Sequence, residues 1–279
     1  FIMSGGPGTG KTTTTRTIVT QLNKAYPDAN IVLLAPTGQA SRRIKEVFGD
    51  LPVITSTVHY FLGHGHQRTR QESEKIKNAD FIIIDEGSMV GVELLYALLS
   101  QISEGTKILI VGDADQLPSV EPGNILNDLI ALGVETAWLT ENFRSSDAII
   151  KNAKTINDGC FDLEEDGTFE IVDVPDETLL DFATNLSLSG DVDILLTPYR
   201  KETTSAGEPI LGSCTAINRA VHEKKYPHER YFVPGEPIVI NHTNYKAGYV
   251  NGDTGHVLRK DLEYIYTDLN DGRSIAVKN

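Results

Sequence analysis

Residues 5–15 read GGPGTGKTTTT, and what stands on either side of them decides the fold. The apolar fragment FIM leads in. Behind the loop Ile18, Val19, Leu22, Ala25 and Tyr26 share one helical face, which Pro27 ends. Gly5-x4-Gly10-Lys11-Thr12 between a strand and a helix is the phosphate-loop pattern in the context it requires. Glycines let backbone N–H groups close around phosphates at a helix N-terminus. Lys11 brings a point charge to the β and γ oxygens, and Thr12 offers a hydroxyl to Mg²⁺. The expected ATP-binding residues are therefore Gly5, Gly6, Pro7, Gly8, Thr9, Gly10, Lys11, Thr12 and Thr13. A Gly-rich turn without a ligand is the alternative.

Outward from the loop, IVLLAPT (31–37), FIIIDE (81–86), KILIVGD (107–113) and AWLTE (137–141) are continuous apolar runs, as strands buried on both faces are. Helix-period stretches, among them VELLYALLSQI and GNILNDLIAL, separate them. This alternation predicts a parallel sheet covered on both faces.

The ends of those strands carry chemistry. Asp85 closes an apolar strand, where a carboxylate is costly unless it meets a cation, so it is the expected second Mg²⁺ ligand beside Thr12. Glu86, next along, is placed to orient or deprotonate an attacking water. In VGDADQLPSV (111–120), Gln116 is an uncharged donor and acceptor able to touch both a γ-phosphate and that water; a plain turn before Pro118 is the alternative. Arg144, in LTENFRSS, lies past a strand where one α/β unit gives way to the next. From there it can stabilise transition-state charge, or it is a surface ion-pair member.

The 279 residues suffice for two domains or for one with insertions. No run approaches the ~20 apolar residues of a membrane span and no secretory leader is visible, so a soluble, cytoplasmic protein without a membrane partner is expected. Cys160 and Cys214 are too few for a disulfide framework or a zinc site. A net charge of −14 argues at first against nucleic acid. Yet the stretch from Thr155 to Tyr199 holds twelve acids and no Lys or Arg, so the rest is near neutral and can hold a local basic groove.

Beyond Ser146 the texture changes. A helix DAIIKNAKTIN leads into the acidic stretch, read as a solvated face. A strand VDILLTPYR (192–200) and a helix CTAINRAVHEKK then predict the opening of a second α/β unit. From VPGEPIVI onward the pattern is all β, with DLNDGRS as a hairpin turn between EYIY and SIAV.

In order and spacing, GGPGTGKTTT, APTGQAS, STVHYFLG, DEGSMV, VGDADQLPSVEPG, LTENFR and PGEPIVINHTNYKAGYVNGDTG resemble the motifs of RecD-like helicases of superfamily 1B. The resemblance spans almost the whole chain. It implies a P-loop NTPase with a RecA-like domain 1A over 1–145, including a short pin insertion near 63–78. A partial second RecA-like domain 2A follows over 146–228, with an SH3-like β insertion 2B over 229–279. It implies an ATP- and Mg²⁺-dependent motor moving 5′→3′ on single-stranded DNA in recombination, repair or conjugative transfer, with protein partners in a recombination or nuclease complex.

Residue by residue, the resemblance puts Pro36, Thr37 and Gly38 on a motif that holds the DNA backbone. Small and hydroxyl side chains suit close approach to a phosphate. Thr57, Val58 and His59 fall on a second DNA motif, although His59 is read equally well as a packed core histidine. In the second domain, Thr197 and Tyr199 fall on a third, and Asn251 and Gly252 on the end of the β insertion. His64 and His66, in the expected pin, also admit a metal reading.

Two departures stand out. Gly87 occupies a position where the family usually has alanine, a difference of ~1 kcal/mol at most in helix propensity. The family's last two motifs and its adenine-contacting segment are also missing from the chain, so a fragment with impaired turnover is expected. The rival readings are a non-catalytic helicase-like DNA-binding or scaffolding domain and a P-loop switch acting on protein. Intact Lys11, Thr12, Asp85, Glu86, Gln116 and Arg144 weigh against the first, GDADQLPSV against the second.

Overall fold

The computed structural model describes residues 1–63, 78–143, 147–244 and 246–279. Two compact units share the chain. The first comprises Phe1–Glu164, Ile240–Tyr245 and Tyr249–Asp253; the second comprises Glu165–Val239, Lys246–Gly248 and Thr254–Asn279.

The first unit is built on a parallel sheet of β1 (Ile2–Gly5), β2 (Ile31–Ala35), β3 (Ile54–Thr57), β4 (Phe81–Ile84), β5 (Lys107–Gly112) and β6 (Thr136–Leu139), in spatial order β3-β2-β4-β5-β1-β6. Successive strand residues point to opposite faces, and here both faces of the central strands are covered, so their positions are mostly apolar. Val32, Leu34, Ile82 and Ile84 pack on one side with Leu94, Leu95 and Leu98 of α4 (Val92–Leu99) and Leu126 of α5 (Ile125–Ala131). Val58 and Phe61 of the short α3 (Val58–Phe61) join them. Ile31, Leu33, Ala35 and Ile83 pack on the other side with Val19 of α1 (Lys11–Ala25) and with Ile44 and Phe48 of α2 (Gly38–Phe48). The four expected runs all become strands, each ending short of its polar tail. The edge strand β3 lacks so clear an apolar run, and sequence reading passed it over, whereas α2 follows the 36–38 turn as the resemblance implies. α6 (Asp147–Asn157) forms as expected.

In the second unit α7 (Asp176–Ser189) rises out of the acidic stretch, with Asp176 and Glu177 in its first turn, where acids favour the helix dipole. Reading that stretch only as a charged face missed it. α8 (Cys214–Lys225) packs against α7, and Ser213 caps it by accepting the Ala216 N–H. The antiparallel sheet of β7 (Pro237–Val239), β8 (Thr254–Lys260), β9 (Tyr264–Leu269) and β10 (Ser274–Lys278) has the order β10-β9-β8-β7, and β9 and β10 pair as the hairpin expected.

The expected strand at 192–200 does not form: the segment is irregular, and Leu196 is 88% exposed. A buried parallel strand needs hydrogen-bonding neighbours and apolar cover, and among the described residues no strand of the second unit runs beside it. Leu195 and Leu196 instead line a groove of about 550 Å³ with Leu179, Phe182, Ile210 and Ile217. The expected pin lies, apart from Gly63 and Asn78, outside the described residues, as do His64 and His66. No described helix is long and apolar enough to cross a membrane.

Candidate functional site

Sheet order brings together the residues expected to bind nucleotide. β4, β5 and β1 are neighbours, so the segments leaving their C-terminal ends emerge side by side, where open α/β sheets bind ligands. From β1 comes the phosphate loop. Gly8 and Gly10 have φ of 77° and 82°, the left-handed region open to glycine, and Gly10 turns directly into α1. Thr9 is buried and closes the loop by donating its hydroxyl to Gly6 O at 2.8 Å. Gly5 admits no side chain, because a Cβ there would stand 2.7 Å from Thr9 Oγ1 and 2.8 Å from Leu139 O. Lys11 Nζ folds over the loop and donates to Gly5 O at 2.6 Å and Gly6 O at 3.0 Å. Thr12 is half-buried and Thr13 exposed on the first turn of α1.

From β4 come Asp85 and Glu86. Asp85 N–H still bonds Leu34 O, at 2.8 Å, so the side chain sits at the very end of the ladder. Its Oδ1 accepts the Glu86 N–H at 3.0 Å. Burial pushes the Asp85 carboxyl above the usual range, opposed by that hydrogen bond and by the charges of Lys11 and Arg43. Burial, then the charge of Asp85, raises Glu86, against Lys11 and Arg43. A hydroxyl and a carboxylate are hard oxygen donors that fit Mg²⁺, which on binding phosphate oxygens would polarise them. Among the described residues no cluster of three or more His, Cys, Asp or Glu offers a metal a cage of its own.

From β5 comes the glutamine turn. Asp113 is 2% exposed, its Oδ1 accepts the Asp115 N–H at 3.1 Å, and the Gln116 N–H donates to Asp113 O at 3.2 Å. Gln116 is thereby held on a fixed turn with its side chain exposed. Gly87 follows the acid pair in a 3₁₀ turn, and a Cβ on it would stand 2.4 Å from Ile110 Cγ2. The departure from alanine thus reflects packing against β5 more than helix propensity.

Two residues escaped sequence reading. Past β6, Asn142 donates its side-chain N–H to Pro7 O, and Phe143 N–H donates to Gly8 O at 2.9 Å. The segment leading to Arg144 therefore clips the phosphate loop from the side. No sequence signal marks this, because it depends on β6 pairing with β1. Arg144 itself lies outside the described residues.

Pro36, Thr37 and Gly38 form the turn from β2 into α2, capped by Thr37, whose hydroxyl accepts the Ala40 N–H at 3.2 Å. Thr57 caps α3, accepting the Tyr60 N–H at 3.1 Å; His59 is exposed, which removes the core-histidine reading. Asn251 and Gly252 belong to the first unit, where Gly252 lies close to Gln39 of α2. In the second unit, Thr197 donates to Gly212 O within the groove and Tyr199 is 56% exposed.

A protein-family model described as AAA domain matches residues 1–122. The ATP-dependent RecD2 DNA helicase of Deinococcus radiodurans is 40% identical over 145 residues, 52% of this chain and 19% of that protein. The RecBCD enzyme subunit RecD of Mycobacterium tuberculosis is 29% identical over 306 residues, 92% of this chain and 52% of that protein. The chain thus spans at most about half the length of these relatives. Among solved structures, a Pif1 helicase from Bacteroides in complex with ADP-AlF3 and ssDNA is 18% identical, with a TM-score of 0.57 over 99% of this chain and 70% of that one. At that identity the likeness concerns the fold, which is RecA-like. Similarity in sequence to RecD and RecD2 proteins over these stretches, the order of the sheet and the geometry of the loop agree on a RecA-like P-loop fold.

Proposed function

We propose that the chain is the motor part of an ATP-dependent DNA helicase that moves 5′→3′ along single-stranded DNA in recombination, repair or conjugative transfer. The observation that carries the reading is the emergence of the phosphate loop, the acid pair and the glutamine turn from three adjacent strands. Lys11 neutralises phosphate charge, Thr12 and Asp85 hold Mg²⁺, Glu86 takes the proton of the attacking water, and Gln116 orients that water. Arg144, which follows Phe143 in the sequence, is the residue expected to stabilise transition-state charge. The polar turns at 36–38, 57–59 and 251–252, with Thr197 and Tyr199, are the DNA-facing residues. The direction of movement rests on the resemblance. A domain 1A over 1–145, a domain 2A over 146–228 and an insertion 2B over 229–279 are the corresponding functional divisions. A relative named as a subunit of the RecBCD enzyme supports a protein partner as well.

ATP turnover, with and without an oligothymidine, of a protein that joins this chain to the family's last two motifs tests this. Stimulation by the oligonucleotide is expected, together with loss of Mg·ATP binding in Lys11→Ala. Turnover indifferent to DNA would exclude a translocating motor.

A further inference from the structure

Two turns far apart in sequence meet within the first unit. Gly38 opens α2, and a Cβ on it would stand 2.6 Å from Val250 Cγ2; a Cβ on Gly252 would stand 3.4 Å from Gln39 Oε1. The contact requires a glycine at position 38. Asp253 holds it together. Its side chain is 4% exposed. Oδ2 accepts the Val250 N–H at 2.9 Å, and Oδ1 pairs with Arg42, one helical turn along α2 from Gly38. The Asp253 N–H donates to Val250 O at 3.1 Å, and Asp253 O accepts the Ile240 N–H at 2.7 Å. The Asn251 N–H bonds Thr243 Oγ1 at 3.0 Å, and the Gly252 N–H bonds Ile240 O at 2.8 Å. One carboxylate therefore closes the turn and ties it to the helix.

A surface ion pair contributes little, but a carboxylate this buried is costly once its partner is removed. Such a pair stands where a geometry has to be held. The two turns carry Pro36, Thr37, Gly38, Asn251 and Gly252, residues with small or uncharged side chains that let a phosphodiester backbone approach closely.

We propose that Arg42 and Asp253 are positioning residues that lock the 250–253 turn onto α2, so that the 36–38 and 251–252 turns present one cradle to the backbone of single-stranded DNA. The proposal rests on the DNA-facing reading of those turns. The bonds given above join α2 to the 250–253 turn, so the lock is expected to act on DNA binding rather than on nucleotide binding.

Three measurements on the 279-residue chain test it: anisotropy of a labelled oligothymidine, fluorescence of a methylanthraniloyl-ADP, and amide hydrogen exchange. Arg42→Gln is expected to weaken oligothymidine about tenfold and to speed exchange at the Val250 and Gly252 amides, with ADP affinity unchanged. Arg42→Lys, which keeps the charge, restores most of the DNA affinity. Adding Asp253→Asn to Arg42→Gln costs little more, because both act through one contact. Faster exchange with unaltered oligothymidine affinity would overturn the proposal while leaving the DNA reading in place. Parallel loss of ADP and DNA binding would overturn it by showing a global role. An unsubstituted chain that bound no oligothymidine would remove the DNA reading and the cradle with it.

Discussion

Glu86 holds φ 52° and ψ 44°, a left-handed conformation that costs a residue with a side chain of order 1 kcal/mol or more. The strain turns the chain at the end of β4, so that Asp85 and Glu86 leave one strand in succession yet point differently. Glu86 also carries a half-buried carboxyl beside a second acid, which is why its pKa lies above the ordinary range. Glu86→Gly removes both burdens and is expected to raise the melting temperature by about 2–4 °C while abolishing hydrolysis. Glu86→Gln keeps the strain and Mg·ATP affinity and lowers turnover about 10²–10⁴-fold. Calorimetry and single-turnover hydrolysis read the two effects separately. A Glu86→Gly protein no more stable than its parent would show that the backbone is not strained there.

At the scale of elements, α8 and the turn before β7 are joined by His222. Its ring is 5% exposed and stacks on Tyr231 at 4.4 Å between centroids. Nδ1 lies 2.7 Å from Glu236 Oε1 and Nε2 3.3 Å from Glu229 O. Both partners are acceptors, which favours the doubly protonated imidazolium over the neutral ring. Glu236 Oε2 accepts from the Phe232 and Val233 N–H groups, at 2.6 Å and 3.0 Å. Burial pulls the pKa of His222 down, but the bonds to Glu236 and Glu229 and the charges of Glu236 and Glu223 prevail, and the net shift is upward. A raised folded pKa means that the stabilisation is fully present below the unfolded value of about 6.5 and is lost as pH rises through the folded one. Thermal melts of the chain are therefore expected to fall in midpoint across that window, with the slope removed in His222→Gln. A slope that survived the substitution would place its origin in another group.

On the scale of the whole molecule, charge would govern how the proposed DNA ligand is met. The net charge is −14, and most of the acids between Thr155 and Tyr199 belong to the second unit. Long-range attraction for a polyanion is absent, so binding depends on a few local phosphate contacts and is expected to be weak and steeply salt-dependent. Filter binding of oligothymidine and of duplex at about 50 mM and 200 mM salt measures this. The single strand should be preferred at both concentrations. A duplex preference would contradict a motor that tracks one strand.

The nucleotide loop, the acid pair and the glutamine turn were legible in the sequence because each is a contiguous pattern whose chemistry depends on neighbours along the chain. The parallel sheet was legible too, since strands buried on both faces have to be apolar throughout. Segments 54–57 and 176–189 were not recognised, because their form is decided by what covers them. Residues 192–200 read as a strand by the same apolar rule, yet only a neighbouring strand can satisfy their backbone. Tertiary structure alone decided that Asn142 clips Pro7, that Ile110 occupies the space a Gly87 side chain would need, and that Arg42 meets Asp253 across more than two hundred residues. In each case the partners are brought together by strand order or by a returning loop, and no local spacing along the chain encodes that distance.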